Sequence, residues 1–281
     1  NQMKITLLIF TLFSQLSVLA SERFVNDSIK VLFVGNSLTY YNAMPQLLQQ
    51  MLNEGEEKVK IEQSTFPGIS LQTHLNWMQT YGEVNGIDRE NGSIFLTKQI
   101  RNQSNWNYII LQQGSVGYLI PEYVEKSLEP TIREIVHIFH KKGTKFILFE
   151  TWTPSLYYPQ TYCRPQNTSD YSARFEEFCS PNIESETQEI SLISESCKKI
   201  AESNQMILSK NGELFYYFKI KHPDIKLIDE EAHPTKAGAF LNACIFYELV
   251  TNKKAKELEF LGDLDIKTTA KIKKFVSEMK L

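Results

Sequence analysis

Two short stretches near opposite ends of the 281-residue chain hold residue types suited to nucleophilic catalysis. In the first, Gly35-Asn36-Ser37-Leu38-Thr39, a serine follows directly on the apolar run Ile29 to Val34. A serine at a strand-to-loop turn exposes its hydroxyl and offers its own backbone N–H to a developing oxyanion. In the second, Asp229-Glu230-Glu231-Ala232-His233-Pro234-Thr235, a histidine stands beside three acids. An imidazole acting as general base needs a partner that holds its tautomer and stabilises its charged form, and Glu230, three residues before His233, is spaced to do so on one tight turn. Of the five histidines, His74, His137, His140, His222 and His233, only His74 and His233 fall near expected strand ends, and only His233 has acids beside it. Each stretch also has a plainer reading, since Gly-Asn-Ser is ordinary turn chemistry and acids ahead of an apolar segment cap a helix. Their pairing makes acyl transfer the stronger expectation.

The elements between them must bring the two stretches together. Short apolar runs at Ile29 to Val34, Val59 to Ile61, Tyr108 to Leu111, Phe146 to Phe149 and Met206 to Leu208 read as buried strands. Helical spacing marks Met44, Leu47, Leu48, Met51 and Leu52, then Leu128, Ile132, Ile135, Val136 and Phe139, the latter stopping at Lys141-Lys142-Gly143. It recurs over Ile190 to Ala201, Ala237 to Ile245 and Ile272 to Met279. Apolar strands alternating with helices imply one doubly wound α/β domain, a parallel sheet covered on both faces. Ligands of such sheets bind at the carboxyl ends of the strands, where the strand order reverses, and that is where Ser37 falls.

Composition removes several function classes. With 30 Lys+Arg against 33 Asp+Glu the formal net charge is −3, which argues against a nucleic-acid surface. Neither G-x-G-x-x-G nor a P-loop is present, so nucleotide binding loses its main support. Cys163, Cys179, Cys197 and Cys244 show no C-x-x-C or Cys/His ligand spacing, so a structural zinc site is not expected, and no motif calls for a cofactor. Lys4, the apolar run Ile5 to Leu19 and the small Ala20 read as a signal peptide over 1–20, too short and broken to span a membrane. The domain is then 21–281, secreted or periplasmic, with no stable membrane insertion. In an oxidising compartment Cys163 and Cys179 are candidates for a bridge, whereas Cys197 and Cys244 sit in helical apolar patterns as buried hydrophobes.

Val34-Gly35-Asn36-Ser37-Leu38-Thr39 resembles the first block of the SGNH (GDSL-like) hydrolases, and Glu230-x-x-His233-Pro234-Thr235 resembles their last. Leu111-Gln112 and Thr151-Trp152 are similar to features of an exported bacterial subgroup whose first block reads G-N-S-x-T. The resemblance implies a flavodoxin-like three-layer α/β/α sandwich with a five-stranded parallel sheet, and ester hydrolysis without a metal. Carried over by position, Ser37 is the nucleophile, His233 the base and Glu230 the orienting acid, with Asp229 as substitute because the family has Asp where this chain has Glu230. The oxyanion donors would be the Ser37 N–H, Gly68 of Phe66-Pro67-Gly68, and Gln112 in place of the family's missing G-x-N-D asparagine, with Gln113 as runner-up.

The expected activity is thus an exported serine esterase acting on a small-molecule or glycan ester, such as an O-acetyl group on a carbohydrate. Two alternatives stay open: a catalytically silent, glycan-binding domain of the same fold, and a metal-dependent hydrolase built on Asp229, Glu231 and His233. The long stretch 153–189 is polar and carries Tyr157, Tyr158, Tyr162, Tyr171, Phe175 and Phe178, rings that would either stack on a sugar or pack an insertion onto the sheet edge.

Overall fold

A computed structural model describes residues 29–55, 57–80, 93–96, 101, 105–154, 157–165 and 177–281. The expected signal peptide at 1–20, and Tyr171 and Phe175 of the insertion, lie outside the described residues. In chain order the main elements are β1 (Ile29–Gly35), α1 (Met44–Glu54), β2 (Val59–Thr65), α2 (Leu71–Thr80), β3 (Tyr108–Gln112), α3 (Glu129–Phe139) and β4 (Lys145–Phe149). A small hairpin, β5 (Cys163–Pro165) with β6 (Glu177–Cys179), precedes α4 (Glu186–Ser203), β7 (Ile207–Ser209), α5 (Asn211–Lys221), α6 (Lys236–Thr251) and α7 (Ile266–Glu278).

The large sheet runs β2-β1-β3-β4-β7, with every pairing parallel. Side chains alternate across it. Val31 and Phe33 of β1, Ile110 of β3 and Ile147 and Phe149 of β4 join one core with α1, α5, α6 and α7. Leu32 and Val34, Ile109 and Leu111, and Phe146 and Leu148 join the other, with α2, α3 and α4. The result is the expected three-layer α/β/α sandwich: burial on both faces requires strands that are apolar throughout, and the five runs in the sequence are the five strands of this sheet. Its order reverses between β1 and β3, so chain leaving the end of β1 enters the crevice where such folds bind ligands.

The two helices absent from the sequence reading are α2 and α5. In α5 Leu214, Phe215 and Phe218 are buried while Tyr217 and Ile220 are exposed, so apolar residues face both ways and no one-sided stripe marks it. His222, read as lying in a surface segment, caps its C-terminal end. Within the insertion, Cys163 and Cys179 are disulfide-bonded directly across the β5–β6 pair, and residues 186–189 already belong to α4. Cys197 and Cys244 are free and buried. Phe178 is buried and Tyr158 and Tyr162 pack against the core, so of the described rings Tyr157 alone is largely exposed. Among the described residues no helix is long and apolar enough to cross a membrane.

Candidate active site

Asn36 follows β1 in an extended conformation and caps a single helical turn, Ser37–Tyr40, by accepting a hydrogen bond from the Leu38 N–H at 3.1 Å. That turn presents Ser37 at the mouth of the crevice. It is braced from three sides. The Gln112 Oε1 at the end of β3 accepts from the Asn36 N–H (2.8 Å) and the Thr39 hydroxyl (3.1 Å). From α2, His74 Nε2 meets the Gly35 carbonyl at 2.8 Å, and burial lowers the pKa of this imidazole to about 4, so it is the neutral ring that donates here. The Asn36 side-chain amide donates to the Ile69 carbonyl at 3.0 Å, tying the Gly68 turn to the Ser37 turn. Gly35 is required by the packing, because a Cβ there would lie 2.5 Å from the Gln112 Oε1.

His233 arrives on a tight loop between β-bridge partners Ile228 and Pro234. The Asp229 N–H donates to the His233 carbonyl (2.9 Å), and the Asp229 Oδ1 accepts from the Glu231 N–H (3.0 Å) and the His233 N–H (2.9 Å). Ala232 completes the turn in the left-handed region, φ 62°. Two outside contacts hold the loop: Trp152 Nε1 donates to the Ala232 carbonyl (2.8 Å), and the Asn42 amide donates to the Pro234 carbonyl (2.7 Å). Thr235 then caps α6 by accepting from the Gly238 N–H.

The two turns place His233 Nε2 3.0 Å from the Ser37 Oγ across 196 residues of sequence. Beside them, the ring of Tyr41 stacks on the imidazole with centroids 3.9 Å apart and planes 9° from parallel.

The acids fall differently from the sequence expectation. Asp229 spends its carboxylate on the backbone of its own turn, and Glu230, the favoured orienting acid, lines a cavity of about 340 Å³ with Trp152, Phe215 and Lys226. The carboxylate at the imidazole is that of Glu231, its Oε2 3.7 Å from His233 Nδ1 and its side chain 79% exposed. The reason is the left-handed Ala232: it tightens the turn so that Asp229 reaches back to the backbone instead of the ring. The expected oxyanion donors are also distributed unequally. Gly68 is exposed at φ 65° on a turn hydrogen-bonded to Asn36, beside the serine turn. Gln112 contributes its oxygen to the serine turn, and its Nε2 is buried with no partner among the described residues. Gln113 is turned to α2, its Oε1 accepting from the Leu71 N–H at 2.9 Å. The residues that the sequence reading passed over are Tyr41 and Asn42; the run Tyr40-Tyr41-Asn42, starting three residues beyond the serine, was their only signal.

No family model and no curated protein sequence matches the chain. Solved structures do. A DUF4886 family protein from Bacteroides uniformis superposes with a TM-score of 0.67 at 18% identity, over 89% of this chain and 94% of that one. A protein from Slackia heliotrinireducens assigned to the SGNH hydrolases gives 0.54 at 19%, covering 80% and 100%. An acetyl-xylooligosaccharide esterase variant from a Geobacillus gives 0.50 at 12%, covering 79% and 94%. The chain therefore has the SGNH-hydrolase fold.

Proposed function

We propose that the protein is an exported serine esterase of the SGNH type that hydrolyses an ester, with O-acetyl groups on carbohydrate as the substrate class. The observation that carries the reading is the 3.0 Å contact between Ser37 Oγ and His233 Nε2 at the reversal point of the sheet. In the reaction the Ser37 hydroxyl gives its proton to Nε2 as Oγ bonds to the ester carbonyl carbon. The carbonyl oxygen becomes an oxyanion beside the Ser37 and Gly68 N–H groups, and collapse expels the alcohol, which takes the proton from His233. Water repeats the sequence on the acyl-serine, releasing the acid and restoring Ser37. The first block, G-N-S-x-T, and the likeness to an acetyl-xylooligosaccharide esterase support the substrate class. The Cys163–Cys179 bond supports export, since such bonds persist in oxidising compartments.

Turnover of p-nitrophenyl acetate by wild type, Ser37→Ala and His233→Ala tests the reading. Both variants are expected to lose at least ~10³-fold in kcat, and undiminished turnover in Ser37→Ala would sink it. A second reading, a catalytically silent glycan-binding domain, draws on the Gln112 oxygen being committed to the serine turn and on Nδ1 of His233 lacking a hydrogen-bonded acid. Absence of fluorophosphonate labelling at Ser37 in folded protein, with glycan binding retained, would favour it.

A further inference from the structure

When the Ser37 hydroxyl donates to Nε2 of His233, the ring hydrogen must sit on Nδ1. That atom is buried and has no hydrogen-bond partner among the described residues. Asp229 is held by backbone N–H groups, and Glu230, an exposed residue, lines the cavity it shares with Trp152. Glu231 lies 3.7 Å away on a side chain 79% exposed, where an ion pair is worth a few-fold at most. What covers the imidazole is the face of Tyr41, at 3.9 Å and 9°.

We propose that Tyr41 is the positioning residue for His233, fixing the plane of its ring and stabilising the imidazolium formed during acyl transfer, the part a carboxylate plays in a serine-histidine-acid site. The proposal rests on the esterase reading of Ser37 and His233. A ring stacked face to face blocks rotation of the imidazole, and its π face attracts the positive charge that appears when Nε2 takes the proton. The backbone is built to deliver it. Asn42 (φ 51°) and Ala43 (φ 54°) are consecutive left-handed residues that are not glycine, a combination that persists where surrounding contacts enforce it. The enforcing contact is the Asn42 amide on the Pro234 carbonyl, which clamps the segment bearing Tyr41 to the residue after His233.

The experiment compares Tyr41→Phe, Tyr41→Leu, Tyr41→Met and Glu231→Gln by kcat and KM on p-nitrophenyl acetate and by the rate of fluorophosphonate labelling of Ser37, with thermal unfolding as a check of folding. Two non-aromatic variants guard against either failing to fold. Tyr41→Phe, which keeps the π face, is expected to stay within about 2-fold of wild type. Tyr41→Leu and Tyr41→Met are expected to lose about 10- to 30-fold in kcat at unchanged KM, with labelling slowed by the same factor, the size of a desolvated cation–π contact. Wild-type kcat in the non-aromatic variants, an equal loss in Tyr41→Phe, or a larger loss in Glu231→Gln would each overturn the assignment. Undiminished turnover in Ser37→Ala removes the esterase reading and this one together, whereas loss at Ser37 with none at Tyr41 removes only this one.

Discussion

Trp152 Nε1 donates a 2.8 Å hydrogen bond to the carbonyl of Ala232, so the residue just past β4 holds the loop that carries the catalytic candidate His233. The indole is itself fixed by stacking on Phe215, with centroids 4.5 Å apart and planes 8° from parallel. Trp152→Phe keeps an aromatic ring and removes the N–H. A carbonyl left unpaired costs about 1–3 kcal/mol. The expected outcome is a lower denaturant midpoint together with a fall in kcat of about 10-fold, because the same bond serves the loop's stability and the aim of His233. Urea unfolding and steady-state kinetics on one preparation would check both, and an unchanged kcat would show that the loop holds its shape without it.

Asp229 and Glu230 should separate by substitution. Asp229→Asn retains the Oδ1 that accepts the Glu231 and His233 N–H groups, so it is expected to stay within a few-fold of wild type, whereas Asp229→Ala removes that acceptor from both N–H groups and should be destabilised by about 2 kcal/mol with kcat much reduced. Glu230→Gln should be nearly silent in kcat. A pattern in which Glu230→Gln falls as far as Asp229→Ala would restore the acid assigned from sequence spacing alone.

Stability against pH has two opposing contributions. Burial raises the pKa of Glu150 to about 7, against the relief of a 2.7 Å hydrogen bond from the Glu213 N–H. The folded protein then binds the proton more tightly than the unfolded chain, and stability falls as pH rises from about 4.5 to about 7. Burial lowers His74 to about 4, so the unfolded chain binds that proton more tightly, and stability falls as pH drops from about 6.5 to about 4. Between these limits the slopes oppose each other. Glu150→Gln, which keeps an acceptor for Glu213, should leave stability rising with pH over this window, and His74→Gln, which keeps a donor for Gly35, should leave it falling. Urea midpoints from pH 4 to 7.5 would read both slopes; parallel profiles in all three proteins would contradict the assignment.

Replacing Cys163 and Cys179 together by serine should cost about 3 kcal/mol, the loop-closure effect expected for a cross-link spanning 16 residues, with kcat retained in the folded protein. Cys197 and Cys244 are buried, with both thiol pKa values raised by burial, and should resist maleimide until the protein unfolds. Rapid native-state labelling at either would count against the packing of α4 or α6.

The sheet was legible because burial on both faces demands continuous apolar runs, and Ile29 to Val34 or Phe146 to Phe149 have no other easy use. The pairing of Ser37 with His233 was legible for a similar reason, since each follows or precedes an element whose position the topology fixes. The acid was not. Which of three adjacent carboxylates meets a ring depends on one left-handed residue, Ala232, and nothing in its type announces φ 62°. Gln112 was read for its N–H, and the use of its oxygen as a brace for the serine turn was not legible, because spacing reports that an amide is near but not what each end meets; its Nε2 has no partner among the described residues. Tyr41 escaped because an aromatic ring beside a candidate catalytic block looks the same, in sequence, as one bound for the core.

The sequence separation of 196 between Ser37 and His233 also bears on how the protein is made. A contact of such long range closes only after most of the chain has been ordered, and loop-closure entropy makes contacts of this kind slow to form. Regain of esterase turnover on refolding is therefore expected to track the last kinetic phase rather than the first, and partly folded chains should carry a serine without a base. Under the proposed esterase reading, chemistry that switches on only with the final fold is a form of built-in latency.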